Sequence, residues 1–254
     1  MKNIWYVAKK EIKTYFTSPI AYVVIAVFLL LVGFFFYSAI WWFNSQSIQM
    51  AQNQYYQQVN INQMVYSPLF HNMSIILLLM IPLLTMRLFS EEKKTGTDEL
   101  LYTSPISVGQ IILGKYLAAL AVLAAMLILT GVLSIFTFAY GNPELPQILN
   151  GYLGLFLMGA AFIGVGLFFS SLTENQIVSA ILTFGALLLF WILNWAAYSA
   201  SGMWKDVLDY LSFFQHFDDL TRGILDTTDL VYYLSFAFFG LFLTHSVIQS
   251  RRWR

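Results

Sequence analysis

Apolar runs of bilayer-crossing length recur six times along the chain, at about 20–43, 69–89, 108–140, 149–172, 176–198 and 230–249. A hydrocarbon core of about 30 Å takes around 20 residues of helix. Each run meets that length and keeps its middle free of charge. The pattern therefore predicts an all-α integral membrane protein with six transmembrane helices. Several boundaries carry start signals. Ser18-Pro19, Ser67-Pro68 and Ser104-Pro105 each put a capping residue before a proline that the first helical turn tolerates. Ser107 with Gln110, and Thr173 with Gln176, have the spacing of a capping box. Ahead of the first run, Ile4, Trp5, Ala8, Ile12, Tyr15 and Phe16 share one side of a helical wheel, while Lys2, Lys9, Lys10 and Lys13 share the other. That pattern predicts an N-terminal interfacial amphipathic helix, its basic side with Lys9, Lys10 and Lys13 toward anionic headgroups and its apolar side including Trp5.

Composition sharpens this picture. The chain is 59% hydrophobic and only 10% charged, against about 25% charged in soluble domains. Most of its exterior must therefore face lipid. A net charge of zero offers no field to recruit nucleic acid. The lack of cysteine excludes disulfides, thiolate catalysis and cysteine-ligated metal. No small-residue cleavage site follows the first apolar run, so Tyr22 to Phe43 reads as a retained span. Eleven of the 13 lysines and arginines fall on one side of a six-span topology, leaving Lys205 and Arg222 on the other. The positive-inside rule then places both termini in the cytoplasm, and the expected location is a bacterial inner membrane.

Candidate chemistry is sparse. Gly109 to Tyr116, "GQIILGKY", has the glycine and lysine spacing of a phosphate-binding loop, but Tyr116 replaces the required Ser or Thr and the stretch enters a membrane helix. The pairs Asp206/Asp209 and Asp226/Asp229 resemble the Mg²⁺-diphosphate motifs of membrane prenyltransferases, yet both fall in the last external loop, where helix capping and solvation account for them. His216 beside Asp218 and Asp219 lacks convincing metal-ligand spacing. No catalytic residue and no metal site is assigned, and no cofactor is expected in this chain. The first external loop, Asn44 to Ser67, is uncharged with eleven Asn or Gln and reads as a solvated, partly helical cap. In the last one, Trp204, Val207, Leu208 and Leu211 recur at helical spacing. Gly154, Gly159, Gly164 and Gly166 in the fourth run suit close helix packing, within the chain or across a dimer. Ion-coupled carriers usually keep charge at membrane depth. Here charge stays near span ends, so the energy for any transport comes from another subunit.

One segment is far more polar than the rest: "RLFSEEKKTGTDELLYTSPIS", Arg87 to Ser107. Together with "ILGKY" it resembles the signature of ABC-2 type transporter permeases, matching at Glu92, Gly96, Thr97, Glu99, Leu100, Leu101, Pro105, Gly114, Lys115 and Tyr116. "SSLTENQIVSA", "FDDLTRGILDTTDLVYYLSF" and the late "RRW" extend the likeness toward the gliding-motility (GldF-like) branch. The resemblance implies a single transmembrane domain over 1–254 with the six-span ABC-2 permease fold. It also implies pairing with a second permease copy or homologous permease, and a cytoplasmic ABC ATPase subunit that carries Mg-ATP. In the family the N-terminal helix and the connection after the second span rest on that ATPase. Arg87, Glu91, Glu92, Gly96, Thr97, Glu99, Leu100 and Leu101 are accordingly the expected ATPase-coupling residues, with the Thr173–Gln176 turn a second candidate. Gly96 would bend the chain sharply and Thr97 would cap a short helix holding Glu99 to Leu101. Two readings stay open: a permease subunit coupling a separate ATPase to export, or a permease-like membrane anchor passing ATPase motion to an envelope protein. A prenyltransferase-type enzyme is a third.

Overall fold

The computed structural model describes residues 2–52, 60–97, 106–199 and 201–252. All regular elements among them are helical: α1 (Lys2–Thr17), α2 (Pro19–Gln52), a π-helical turn (Asn62–Tyr66) leading into α3 (Ser67–Thr85), α4 (Arg87–Lys94), α5 (Val108–Tyr140), α6 (Leu145–Leu172), α7 (Gln176–Ser199), α8 (Met203–Leu211), α9 (Phe213–Thr221) and α10 (Thr227–Arg252). Six stretches are long and apolar enough to cross a membrane: Pro19–Gln49, Asn62–Lys94, Val108–Tyr140, Leu145–Leu172, Gln176–Ala196 and Thr227–Ser250. They match the predicted runs one for one and extend several of them outward. Six crossings put α1 and the end of α10 on the same face.

The second and fourth spans are the most enclosed, and the first and fifth lie at the perimeter. Leu30, Phe34, Ile128, Ile135, Leu189 and Phe238 all point outward from the bundle. An exterior of this kind is stable against lipid, where helices satisfy their own backbone groups. Inside, α6 is the hub. Its glycines receive neighbouring helices: Gly159 faces Leu123, Gly166 faces Thr85, and Gly164 meets the backbone of Ala237 on α10. The fourth-span glycines thus serve packing within the chain.

The start signals divide. Ser107 and Gln110 form the full reciprocal capping box, with Ser107 Oγ accepting from the Gln110 N–H and Gln110 Oε1 accepting from the Ser107 N–H. Ser18 Oγ accepts from the Ile20 N–H at 3.4 Å where α1 gives way to α2. Two expectations are corrected. Asn175, not Thr173, caps α7: its Oδ1 accepts from the Ile177 N–H at 2.9 Å, while Thr173 accepts from the Asn175 N–H. The short amide side chain beside the first turn reaches donors that Thr173 does not. Ser67-Pro68 does not open the second span, because helical structure already runs from Asn62 and the Asn60 side chain accepts the Asn62 N–H at 2.8 Å. Ser104-Pro105 lies outside the described residues.

At the end of the bundle opposite α1, α8 and α9 fold back over the spans. Phe213 sits within an aromatic cluster with Phe162, Phe190, Tyr232 and Phe236, and the Tyr233 hydroxyl donates to its carbonyl at 2.6 Å. The amphipathic α8 buries none of its residues.

Candidate functional site

The charged residues near α1 converge on one lysine. Lys115 lies two turns into α5, is 1% exposed, and points toward the junction of α1 and α4. It donates to Glu11 Oε1 at 3.1 Å and to the Leu88 carbonyl at 2.6 Å, and it is ion-paired with Glu92 Oε1 at 2.9 Å. The Phe89 ring adds a face 5.0 Å away. Lys10 closes the cluster from outside, 3.4 Å from Glu92 and 3.7 Å from Glu11. Two lysines thus balance two carboxylates, as buried charge requires. A neighbouring cavity of about 200 Å³ is lined in part by Glu11, Thr14, Arg87, Glu91, Glu92 and Thr97.

Local sequence explains why α1 comes so close. Gly114 has no side chain toward α1, and a Cβ there would stand 2.6 Å from Val7 Cβ. Val7, Ala8, Glu11 and Tyr15 form the buried face of α1, with Ile12 packed beside them. This face overlaps the predicted apolar one at Ala8, Ile12 and Tyr15 but takes in Glu11, and Trp5 and Phe16 remain exposed. Lys9 and Lys13 point to the exterior. The Tyr15 hydroxyl donates to the Leu84 carbonyl at 2.7 Å. Burial, reinforced by the Glu11 charge, holds this phenol well above its ordinary pKa and keeps it a donor. The residues that resemble a phosphate loop have other work: Gly114 admits α1, Lys115 pairs with Glu11 and Glu92, and Tyr116 donates to the Ala160 carbonyl at 3.2 Å.

α4 is held equally firmly to α6. Between α3 and α4 the Ser170 hydroxyl enters the helical ladder. It donates to the Met86 carbonyl at 3.1 Å and accepts from the N–H groups of Phe89 and Ser90 at 3.0 and 3.2 Å. Ser90 Oγ returns a bond to the Ser170 carbonyl at 3.1 Å, and Lys93 Nζ donates to the Ser171 carbonyl. Insertion of a side chain into the ladder is a recognised cause of a helix break. Ser170→Ala leaves buried backbone groups unmatched, so we expect a loss of about 1–3 kcal/mol and faster amide exchange confined to residues 86–94. Hydrogen-exchange mass spectrometry reads that pattern directly.

α4 ends in a Schellman turn. Gly96 has φ of 67°, its N–H donates to the Lys93 carbonyl at 3.1 Å, and the Thr97 N–H donates to the Glu92 carbonyl at 3.0 Å. The sharp bend expected at Gly96 is therefore present. Arg87 pairs with Glu91 at 3.0 Å along α4. Of the predicted coupling residues, Arg87, Glu91, Glu92 and Thr97 line the cavity beside Lys10, and Gly96 forms the turn that ends α4. Glu99, Leu100 and Leu101, and the helix that Thr97 was expected to cap, lie outside the described residues. Sequence reasoning missed Glu11, Ser170 and the centrality of Lys115. An acid within a lysine-rich helix, and a lysine just inside an apolar span, were the available signals.

The acidic pairs of the last loop take structural positions. Asp206 and Asp209 sit on exposed α8, and Asp229 Oδ1 is 2.7 Å from His216 Nδ1, whose ring stacks on Tyr232. Among the described residues no group of three or more His, Asp or Glu is arranged to hold a metal ion.

Six bilayer-length helices, with a buried charge cluster on the face that carries α1, define a multi-pass membrane protein. The chain belongs to the ABC-2 family of transporter proteins, whose sequence pattern matches residues 5–248. Its six apolar helices make it a multi-pass protein of the inner membrane. It is 30% identical over 137 residues to the probable multidrug ABC transporter permease YbhR of Escherichia coli strain K12, and equally to that of E. coli O157:H7. The match takes in 53% of this chain and 37% of the relative, so the chain spans little more than a third of the relatives' length in that match.

Proposed function

We propose that this chain is the membrane-spanning permease subunit of an ATP-driven exporter, and that the α1–α4–α5 cluster receives the motion of a separate cytoplasmic ATPase. The observation that carries this reading is the three-way engagement of Lys115. It joins the N-terminal helix and the polar helix after the second span to the base of the third. Force applied to α4 therefore reaches α1 and α5 through charge, and reaches α6 through Ser170 and Ser171. Buried polar networks suit such a task because they hold discrete arrangements. The outward surface around them stays available: Lys10, Thr95, Gly96 and Thr97 are exposed, and Glu91 partly so.

The lysine and arginine distribution supports cytoplasmic termini, with Mg-ATP bound on the partner. Residues 1–254 act as one transmembrane domain. The perimeter faces of α2 and α7 leave room for a second permease copy or a homologue. The stretches "SSLTENQIVSA" and "FDDLTRGILDTTDLVYYLSF" and the late "RRW" support the gliding-motility branch, and the likeness to a probable multidrug permease supports drug-like cargo.

Glu91→Lys and Thr97→Trp alter this outer surface without touching Lys115. Each is expected to weaken copurification of the ATPase by about tenfold and to lower ATP turnover in parallel. Unchanged association and turnover in both variants would contradict the reading.

A further inference from the structure

A second cavity, of about 740 Å³, opens on the face opposite the chain ends, between the far ends of α2 and α5. We propose that it binds an amphiphile with a primary ammonium head, and that its occupant is phosphatidylethanolamine from the facing leaflet. The volume is in the range of small-molecule sites, about 300–1,000 Å³. Its lining is graded. Phe36, Ile40 and Phe136 form the apolar part, while Asn44, Asn142 and Glu144 form the polar part. At 1.5 Å rise per residue, Phe36 to Asn44 spans about 12 Å along α2. That is the distance over which a lipid passes from acyl chain to head group, and it runs in the same direction.

The charge pattern selects the head. Glu144 is the sole charged side chain among the described lining residues and so faces the ammonium, while the amide N–H groups of the lining asparagines are the donors available to the neighbouring phosphodiester. Glu144 stands at the N-cap of α6, yet its side chain makes no capping bond. Its backbone is fixed instead by Asn62, whose Nδ2 donates to the Glu144 carbonyl and whose Oδ1 accepts the Glu144 N–H, both at 3.0 Å. Its backbone is thus fixed, and its exposed carboxylate has no partner among the described residues. An ammonium offers three donors, matching this carboxylate and the amide oxygens of Asn44 and Asn142. A choline head has no N–H to donate, so phosphatidylcholine is disfavoured.

The test uses the full chain in phosphatidylcholine nanodiscs doped with a photoactivatable phosphatidylethanolamine, and needs no ATPase. It therefore stands apart from the coupling reading. Adducts are expected near 36–44 and 136–144, with Glu144→Gln lowering labelling by about tenfold. Ile40→Trp, which fills the apolar part, is expected to do the same, and a phosphatidylcholine probe is expected to label weakly whatever residue stands at 144. Equal labelling of wild type and both variants would overturn the proposal, as would equal labelling by the choline probe. Displacement by dodecylammonium far below the lipid concentration would overturn the assignment to lipid.

Discussion

Lys115→Met is expected to destabilise the protein by about 3 kcal/mol. The substitution keeps side-chain length but removes the cation that Glu11, Glu92 and the Leu88 carbonyl share. Two largely buried carboxylates would then face each other with only the exposed Lys10 for compensation. Cost on this scale comes chiefly from stranding charge, since a buried ion pair gives up in desolvation much of what it gains by attraction. The combined variant Glu11→Gln, Glu92→Gln, Lys115→Met removes the stranded charges and should recover most of the loss. Thermal unfolding in nanodiscs, followed by tryptophan fluorescence, measures both. If the single variant is as stable as wild type, the cluster does not hold α1 and α4 to α5. Should the triple variant unfold as early as the single, packing rather than charge explains the loss.

The other large effect lies far from any charge. Gly240→Val is expected to cost more than about 3 kcal/mol, or to abolish accumulation in the membrane. A Cβ at Gly240 would stand 2.5 Å from the Gly164 carbonyl carbon and 2.7 Å from its oxygen. The obstacle is backbone, which no rotamer change can relieve, so α6 and α10 must separate. Gly185 provides the control, because a Cβ there meets nothing within 4 Å. Gly185→Val should leave accumulation and unfolding unchanged. Equal behaviour of the two variants would show that the α6–α10 crossing is not what the glycines serve.

Periodicity alone revealed the six spans, because burying an unpaired backbone in lipid leaves few choices but long apolar helices. The box at Ser107 and Gln110 was equally legible, since both halves are local. What escaped depended on partners distant in sequence. Glu11 looks like one more charge on a basic helix until Lys115, 104 residues away, supplies its counter-charge. The apolar moment of α1 marks Trp5 and Phe16, yet the packed face is set by the groove at Gly114. Ser170 carries no motif of its own, and its place in the ladder of α4 exists only once α6 lies against it. The resemblance at Glu92, Gly96 and Thr97 marked a segment; the geometry adds that Lys115 pairs with Glu92 and that Gly114 receives α1 beside it.

The central claim is that a cytoplasmic ATPase subunit meets the surface over Lys115. Site-specific photo-crosslinking in the intact, copurified transporter tests it most directly. A benzophenone side chain at Thr97 or at Glu91 is expected to form adducts with the ATPase, whereas the same group at Tyr140, 91% exposed on the opposite face, is expected to form none. An ATPase that copurifies but crosslinks from neither Thr97 nor Glu91 would contradict the account.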